Sequence, residues 1–234
     1  MSVKSASLIC LLALVQSTVS ARADDIAPKK SREMRVAHAT LPVRHSLQLP
    51  SPKAFMRIYG QAEAPYGYLR FCSRNAEECR PAGAELERVE ATPARLSALD
   101  AINRTVNRTI EPATDKELYG EVEYWTLPDA RRKGDCEDYA LLKRKMLIAQ
   151  GWPTSALLLT VVRDEVGDGH AVLTVRTHLG DFILDNKTDD IRLWSKTPYK
   201  MLMRQSFMNP NVWVSLDPNW PQSPLSIAGV RKRP

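Results

Sequence analysis

Apolar residues follow two different periods along this chain, a helical period first and a strand-like period afterwards. A stripe at helical spacing follows Thr92-Pro93, a pair typical of a helix start, and consists of Leu96, Leu99, Ile102, Val106 and Ile110. A second helix is predicted from about Cys136 to Gln150, because Gly151-Trp152-Pro153 follows it as a stop signal. We expect Lys143, Arg144 and Lys145 to face solvent near its end, where the helix dipole favours cations.

After this second helix the pattern changes to that of β-strands separated by Gly, Asp, Asn and Pro turns. The predicted strands cover residues 156–162, 170–177, 182–184, 191–194 and 212–216. Helices followed by antiparallel strands are typical of the α+β class. We therefore predict one α+β domain in which N-terminal helices pack on an antiparallel sheet.

Two tripeptides within the first helix, Asn103-Arg104-Thr105 and Asn107-Arg108-Thr109, match the acceptor pattern for N-glycosylation. They lie inside an amphipathic helix, so we interpret both as parts of a solvated helix face. They carry no functional prediction.

The two ends of the chain differ from its middle. Lys4, the apolar residues 6–15 and Ala21-Arg22-Ala23 are typical of a signal peptide over residues 1–23, and the apolar run is too short to span a membrane. Residues 24–53 are proline-rich and polar, and we predict a flexible arm there. A folded domain is predicted at 54–221 and a basic tail at 222–234. The mature chain is thus expected to be exported, periplasmic and not membrane-spanning.

The charge balance argues against nucleic acid as the main partner. Loss of Lys4 and Arg22 with the signal peptide lowers the formal net charge from +6 to +4, and the basic run Arg231-Lys232-Arg233 lies in the predicted tail. Such a mild excess is typical of a solvated surface, and the sequence holds no nucleic-acid recognition motif.

The cysteines indicate one chemically distinct thiol. Of the four cysteines, Cys10 lies in the signal peptide, and Cys72 and Cys79 are close enough to close a small disulfide loop in an oxidising compartment. Cys136 is left unpaired, which suggests a reactive group or an intermolecular bridge. A buried inert thiol is the third interpretation, and the charged neighbours of Cys136 argue against it.

Cys136, His170 and Asp185 follow one another in the order thiol, imidazole, carboxylate, which are the parts needed to generate and use a thiolate nucleophile. Asp135 is a suitable helix cap, so Cys136 would lie in the first turn, where the helix dipole lowers the thiol pKa. Strand parity places His170 and Asp185 on one sheet face. Direct opposition would need a turn at Thr177-His178, whereas Gly180 indicates a later turn, and a bulge would reconcile the two.

Each of these residues has a competing interpretation. His178 has the same strand parity as His170 and competes as the base, while Asp185-Asn186 could simply end a strand. Asp135, Glu137 and Asp138 are typical of ordinary capping in the first turn of a helix. Their carboxylates also suit Ca²⁺.

The chain from about residue 64 to 216 resembles the bacterial transglutaminase-like cysteine peptidases, which include the LapG-type periplasmic proteases. The matching segments are Gly134-Asp135-Cys136-Glu137-Asp138-Tyr139-Ala140, Gly151-Trp152-Pro153, Gly169-His170-Ala171-Val172-Leu173, Leu184-Asp185-Asn186, Phe71-Cys72 with Glu78-Cys79, and Tyr119-Gly120 with Tyr124-Trp125. The resemblance implies a papain-related transglutaminase-like fold.

The same resemblance implies roles for particular residues and partners. Cys136 would be the nucleophile, His170 the general base and then acid, and Asp185 its orienting partner, while Asp135 and Glu137, with Asp138 as a further candidate, would bind calcium. The backbone N–H of Cys136 and a side chain near Tyr124-Trp125 would stabilise the oxyanion. LapG-type enzymes cut a surface adhesin and are restrained by an inner-membrane receptor, which makes an envelope protein the expected substrate class.

We therefore expect a periplasmic cysteine endopeptidase that acts through an acyl-enzyme. An amidase or transglutaminase acting on cell-wall peptide would use the same intermediate. A calcium-dependent binding protein without activity is the non-enzymatic alternative.

Overall fold

The computed structural model describes residues 54–81 and 88–219. The predicted signal peptide at 1–23, the arm at 24–53 and the basic tail at 222–234 lie outside these residues. The predicted domain at 54–221 is described apart from residues 82–87 and 220–221.

Four α-helices and nine strands make up the described part of the chain. The helices are α1 (Tyr66–Arg74), α2 (Pro93–Thr109), α3 (Asp115–Tyr119) and α4 (Cys136–Ala149). The strands are β1 (Gly60–Ala62), β2 (Glu111–Pro112), β3 (Lys133–Gly134), β4 (Leu157–Arg163), β5 (Gly169–Thr177), β6 (Gly180–Leu184), β7 (Arg192–Leu193), β8 (Lys200–Gln205) and β9 (Trp213–Ser215).

Seven of these strands form one antiparallel sheet in the order β1-β9-β8-β4-β5-β6-β7, and α4 packs on β5 while α2 packs on α4. The larger apolar core joins the helices to the sheet, and a smaller cluster that includes Val172 and Ile183 lies on strand positions of the opposite parity. The α+β prediction, with helices packed on an antiparallel sheet, is confirmed.

The two long helices begin and end where local signals predict. The Thr92 hydroxyl accepts a hydrogen bond from the Arg95 backbone N–H at 3.3 Å, and Pro93 occupies the first turn, where its missing N–H has no cost. Gly151, with a φ of 81°, ends α4 in the left-handed region that favours glycine. The predicted disulfide between Cys72 and Cys79 is also present.

The prediction that the basic residues of α4 face solvent is wrong for two of the three. Lys143 and Arg144 are 1% and 4% exposed, whereas the Lys145 side chain is exposed and pairs with Glu78. Arg144 donates to the backbone oxygens of Leu157 and Glu78, which satisfies its buried guanidinium. Because α4 is covered by both α2 and the sheet, its last turns have no solvent face wide enough for all three cations.

The asparagines of α2 are also not a solvated face, contrary to the prediction. Asn103 is fully buried, and its side-chain amide donates to the backbone oxygens of Thr188 and Asp189 at 3.1 and 3.0 Å. Asn107, one turn later, donates to the backbone oxygen of Asp185 at 3.0 Å. These two amides fasten the segment that follows β6 to α2.

The sheet contains strands that the sequence pattern did not indicate. Strand β8 lies beside β4, and its residues Met201, Leu202 and Met203 are all buried. Short β1 pairs with β9 at the sheet edge. The predicted strand at 191–194 is reduced to Arg192–Leu193, followed by a 3₁₀ turn.

Within residues 54–81 and 88–219, no helix combines the length and apolar character needed to cross a membrane.

Candidate active site

Cys136 is the first residue of α4, directly after the short parallel pair of β2 and β3. Asp135 occupies the cap position, but its side chain does not cap the helix; its Oδ2 accepts from the Asp115 backbone N–H at 3.3 Å. Gly134 is required because a Cβ there would lie 2.6 Å from Oδ2 of Asp138. The backbone that leads into Cys136 is therefore held by close packing between β3 and α4.

The surroundings of the thiol favour its protonated form. The Cys136 thiol donates to Oε2 of Glu137 at 3.1 Å, and the Ala171 backbone N–H donates to Sγ at 3.3 Å. Burial raises the pKa of Cys136 well above its ordinary value, and the charges of Glu137 and Asp135 raise it further. The prediction of a lowered thiol pKa is wrong for the chain by itself, because burial and two carboxylates outweigh the helix dipole.

His170 and Asp185 meet across the β5–β6 hairpin. Leu173 pairs with Leu184 and Thr177 with Gly180, so the turn is formed by residues 178–179 and the hairpin needs no bulge. His170 and Asp185 are diagonal neighbours on one face, as parity predicts, and Nε2 of His170 lies 2.9 Å from Oδ1 of Asp185. Both residues are buried.

Hydrogen-bond donors keep Asp185 ionised despite its burial. Oδ1 also accepts from the Lys187 backbone N–H at 3.1 Å, and Oδ2 accepts from the Tyr199 hydroxyl. Burial alone would raise the pKa of Asp185, but the hydrogen bond and charge of His170, together with Tyr199 and Lys187, hold that pKa below its ordinary value.

The competing histidine lies away from this site. His178 belongs to the β5–β6 turn, at the other end of β5 from His170, and its half-exposed ring is 3.4 Å from Glu90. Ala171, the neighbour of His170, contacts the Cys136 sulfur instead. The structure therefore joins His170, and not His178, to Asp185, and places His170 next to Ala171, whose backbone N–H contacts the thiol.

A carboxylate cluster adjoins the thiol through Glu137. One oxygen each from Asp115, Asp135 and Glu137 lies within 4.8 Å of the others. Asp138 is a neighbour of this group and not a member; its Oδ1 accepts from the Thr126 backbone N–H at 2.8 Å. Asp115 did not emerge from the sequence, because it opens α3 in an ordinary capping box and reaches Asp135 only through the tertiary fold.

Several carboxylate oxygens in and beside the cluster lack hydrogen-bond partners among the described residues. Oδ1 of Asp115, Oδ1 of Asp135 and Oδ2 of Asp138 are buried and have no hydrogen-bond partner among the described residues. Burial and then the charge of Asp135 raise the pKa of Asp115 to about 7 and that of Asp138 to about 9. Burial likewise raises the pKa of Asp135 and of Glu137. Unpaired carboxylate oxygens in such an arrangement suit a hard cation such as Ca²⁺.

The region expected to supply an oxyanion side chain has other contacts. Trp125 is fully buried, and its Nε1–H donates to Oε2 of Glu123 at 3.1 Å. The Tyr124 backbone N–H donates to Asp115 of the carboxylate cluster. Trp125 therefore belongs to the packing beneath the site, with its one donor already engaged.

Comparisons with known proteins give one family and one group of structures. A family model described as bacterial transglutaminase-like cysteine proteinase (BTLCP) matches residues 58–220. Calcium-bound LapG of Legionella pneumophila is 24% identical, with 58% of this chain and 77% of that chain covered and a TM-score of 0.46. A second LapG structure from the same organism is 27% identical, covering 49% and 65% of the two chains with a TM-score of 0.41. Comparison with curated proteins found no match.

Proposed function

The chain belongs to the bacterial transglutaminase-like cysteine proteinase family and is a cysteine peptidase, and from this premise we propose that it is an exported endopeptidase with Cys136, His170 and Asp185 as its catalytic triad. The observation that carries the proposal is a pair of contacts at the start of β5: His170 contacts the Asp185 carboxylate, and the backbone N–H of the next residue, Ala171, contacts the Cys136 sulfur. These contacts support the roles of nucleophile, base and orienting group for Cys136, His170 and Asp185.

The proposed reaction is acyl transfer to water. His170 accepts the thiol proton as Sγ of Cys136 bonds to the peptide carbonyl carbon, and we assign the backbone N–H of Cys136 as a donor to the resulting oxyanion. His170 then protonates the leaving amine, whose bond to the acyl carbon breaks. A water molecule, losing its proton to His170, displaces the thiolate and releases the acid. Asp185 fixes Nε2 of the imidazole, which leaves Nδ1 to exchange these protons.

We further propose that Asp115, Asp135 and Glu137 hold Ca²⁺, with Asp138 beside them. Two observations support this proposal: buried oxygens of Asp115 and Asp135 lack hydrogen-bond partners within residues 54–81 and 88–219, and the pKa values of these acids are raised. A bound dication would neutralise the carboxylates that now oppose thiolate formation at Cys136. The substitution of Asp138 should affect binding less, since Oδ1 of Asp138 is already engaged by Thr126.

The proposed substrate class is an envelope protein, such as a surface adhesin. We place the enzyme in the periplasm, where an inner-membrane receptor would control its activity. Export is supported by the signal-peptide pattern of residues 1–23 and by the Cys72–Cys79 disulfide, which persists in oxidising compartments. The adhesin and the receptor rest on the family resemblance alone.

The test compares envelope proteins from cells that produce the wild type, Cys136→Ala or the control Tyr59→Phe, with new protein N-termini identified by mass spectrometry. New N-termini should appear with the wild type and Tyr59→Phe and be absent with Cys136→Ala. Cleavage that persists in Cys136→Ala, with that protein folded, contradicts the triad. Adding a primary amine distinguishes the amidase or transglutaminase alternative, since stable amide products instead of free acids would favour it.

A further inference from the structure

Tyr199 is a side chain that contacts both His170 and Asp185. It lies just before β8, the strand that the sequence pattern did not indicate. Its hydroxyl donates to Oδ2 of Asp185, and its ring meets the His170 imidazole edge-on, with ring centroids 5.5 Å apart and an interplanar angle of 66°. It thus touches the two groups whose mutual geometry the proposed mechanism needs.

The ring of Tyr199 is itself held in place. It packs against the smaller apolar cluster of the sheet, which includes Val172 and Ile183. These residues are two positions from His170 and Asp185 on their own strands and have the same parity. The same packed surface therefore supports the tyrosine, the imidazole and the carboxylate.

The hydroxyl of Tyr199 fixes the plane of the Asp185 carboxylate. Oδ1 accepts from His170 and from the Lys187 backbone, and Oδ2 accepts from Tyr199. Asp185 and Tyr199 also line a cavity of about 160 Å³, from which water can reach Oδ2 if the hydroxyl is removed. Without a donor of fixed position on Oδ2, the carboxylate can rotate about its Cβ–Cγ bond. Such a rotation would distort the hydrogen bond between Oδ1 and Nε2 of His170.

We propose that Tyr199 is a positioning residue that fixes the Asp185 carboxylate and, through it, the imidazole of His170. This inference rests on the proposed function, since it assigns Tyr199 to the same site. Tyr199 acts through Asp185 and is not itself a catalytic residue.

The charges around Asp185 are compatible with this role. His170 and Tyr199 contact its carboxylate, the charge of Lys143 on α4 acts on it, and Lys187, whose ammonium pairs with Asp164, lines the same cavity. The other ionisable groups that line this cavity are Glu165, Asp190 and Arg192. Burial and the hydrogen bond to Asp185 raise the pKa of Tyr199, so that its hydroxyl remains a donor across the physiological pH range.

The experiment uses the full chain in Ca²⁺ and removes only the hydroxyl, with Tyr199→Phe. Its control is Tyr59→Phe, an exposed tyrosine next to the β1 edge strand. The first measurement is the NMR signal of the His170 Nε2–H proton, identified by its loss in His170→Ala. We expect the downfield position of this proton and its protection from solvent exchange to decrease in Tyr199→Phe and to be unchanged in Tyr59→Phe.

The second measurement is the rate at which iodoacetamide alkylates Cys136, a probe that needs no knowledge of the substrate. Loss of a hydrogen bond to a charged group should lower this rate by about tenfold in Tyr199→Phe. If either the imidazole signal or the rate is unchanged, or if only the melting temperature falls, Tyr199 is a packing residue and the inference is wrong. The NMR result does not depend on proteolysis, so its failure is distinct from retained cleavage in Cys136→Ala, which would contradict the triad itself.

Discussion

Asp185 and the carboxylate cluster beside Cys136 are both buried, but they differ in hydrogen bonding and in pKa. Asp185 and Asp115 are each 2% exposed. Yet both oxygens of Asp185 accept hydrogen bonds and its pKa lies below the ordinary value, whereas Oδ1 of Asp115 has no partner among the described residues and its pKa rises to about 7. Burial raises the pKa of both carboxyl groups; at Asp185 the hydrogen-bond donors and the charge of His170 outweigh burial, whereas at Asp115 the charge of Asp135 adds to it.

Asp185 and the carboxylate cluster therefore differ in what stabilises their charge. Asp185 is ionised by the folded chain alone, because an imidazole, a backbone N–H and a phenol face it. The cluster of Asp115, Asp135 and Glu137 is a set of mutually repelling acids beside a thiol. It is suited to a partner that brings positive charge from outside.

The largest expected effect follows from Asp185→Asn. An amide at this position can favour the wrong imidazole tautomer, so kcat should fall by about 10³-fold to 10⁴-fold. The stabilisation by Ca²⁺ should stay as in the wild type, because Asp185 is not part of the cluster. Turnover on any substrate that the wild type cleaves measures the first effect, with exposed Asp190→Asn from the same segment as the control. Wild-type turnover in Asp185→Asn contradicts the role of Asp185.

The next effect concerns the cluster, probed by Asp135→Asn combined with Glu137→Gln. For the wild type, Ca²⁺ at about 100 times its Kd should add about 2.7 kcal/mol to the free energy of unfolding. The double variant should lose this response. In EGTA it should be more stable than the wild type, since two buried acids whose ionisation is opposed by burial and by each other are gone. Thermal melts in Ca²⁺ and in EGTA measure both outcomes, and an undiminished Ca²⁺ shift in the double variant contradicts the site.

The third prediction is the pH dependence of stability in EGTA. Asp115 and Asp138 have folded-state pKa values of about 7 and 9, against an ordinary 3.8, so the folded state binds more protons than the unfolded state above pH 4. Between pH 5 and 7 the free energy of unfolding should fall by about 1.4 kcal/mol per pH unit for each such carboxyl group. Asp185 contributes nothing there, because its lowered pKa affects stability only in more acidic solution.

Lys143 sets the upper limit, pH 7, of the range over which stability should fall with pH. Burial lowers its pKa from 10.5 to about 7, so above pH 7 the unfolded state binds the extra proton and stability from this group rises with pH. Urea unfolding at pH 5, 6 and 7 in EGTA is therefore the clean measurement. Stability that rises over this range would contradict the electrostatic account of the cluster.

Much of the fold was accessible from local signals, and the failures have physical causes. The ends of α2 and α4 follow from Thr92-Pro93 and from Gly151, because caps and stops act within one turn. Strand β8 was missed because it lies inside the sheet, where successive apolar residues replace alternation. The burial of Lys143 depends on what covers α4, which no local pattern reports.

The candidate site also combines features that local patterns predict with features that depend on the tertiary fold. His170 and Asp185 are joined by a short hairpin, so parity was enough to predict a shared face. Asp115 reaches Asp135 across 20 residues of sequence, and the raised pKa of Cys136 depends on packing around it. Predictions based on helix position alone therefore missed one acid and reversed the sign of the thiol pKa shift.

The smallest expected effect concerns the amides that hold the segment after β6. Asn103→Ala removes a donor to the backbone oxygens of Thr188 and Asp189 and should cost about 1 kcal/mol of stability, because the Thr188 oxygen still accepts from Asn107. Ca²⁺ stabilisation should be retained, since α2 does not contribute to the cluster. Asn75→Ala, which removes a partly exposed amide bonded to the oxygen of Phe71, is the matched control and should cost less. Equal losses in the two variants would contradict this account of α2.

The central claim is that His170, held by Asp185, generates the Cys136 thiolate once a cation offsets the neighbouring acids. The most direct measurement is the rate of Cys136 alkylation by iodoacetamide near pH 7, for the wild type and His170→Ala, each in Ca²⁺ and in EGTA. We predict fast alkylation only for the wild type in Ca²⁺, with a loss of about tenfold or more on chelation or on removal of the imidazole. Equal rates in all four samples would contradict the claim.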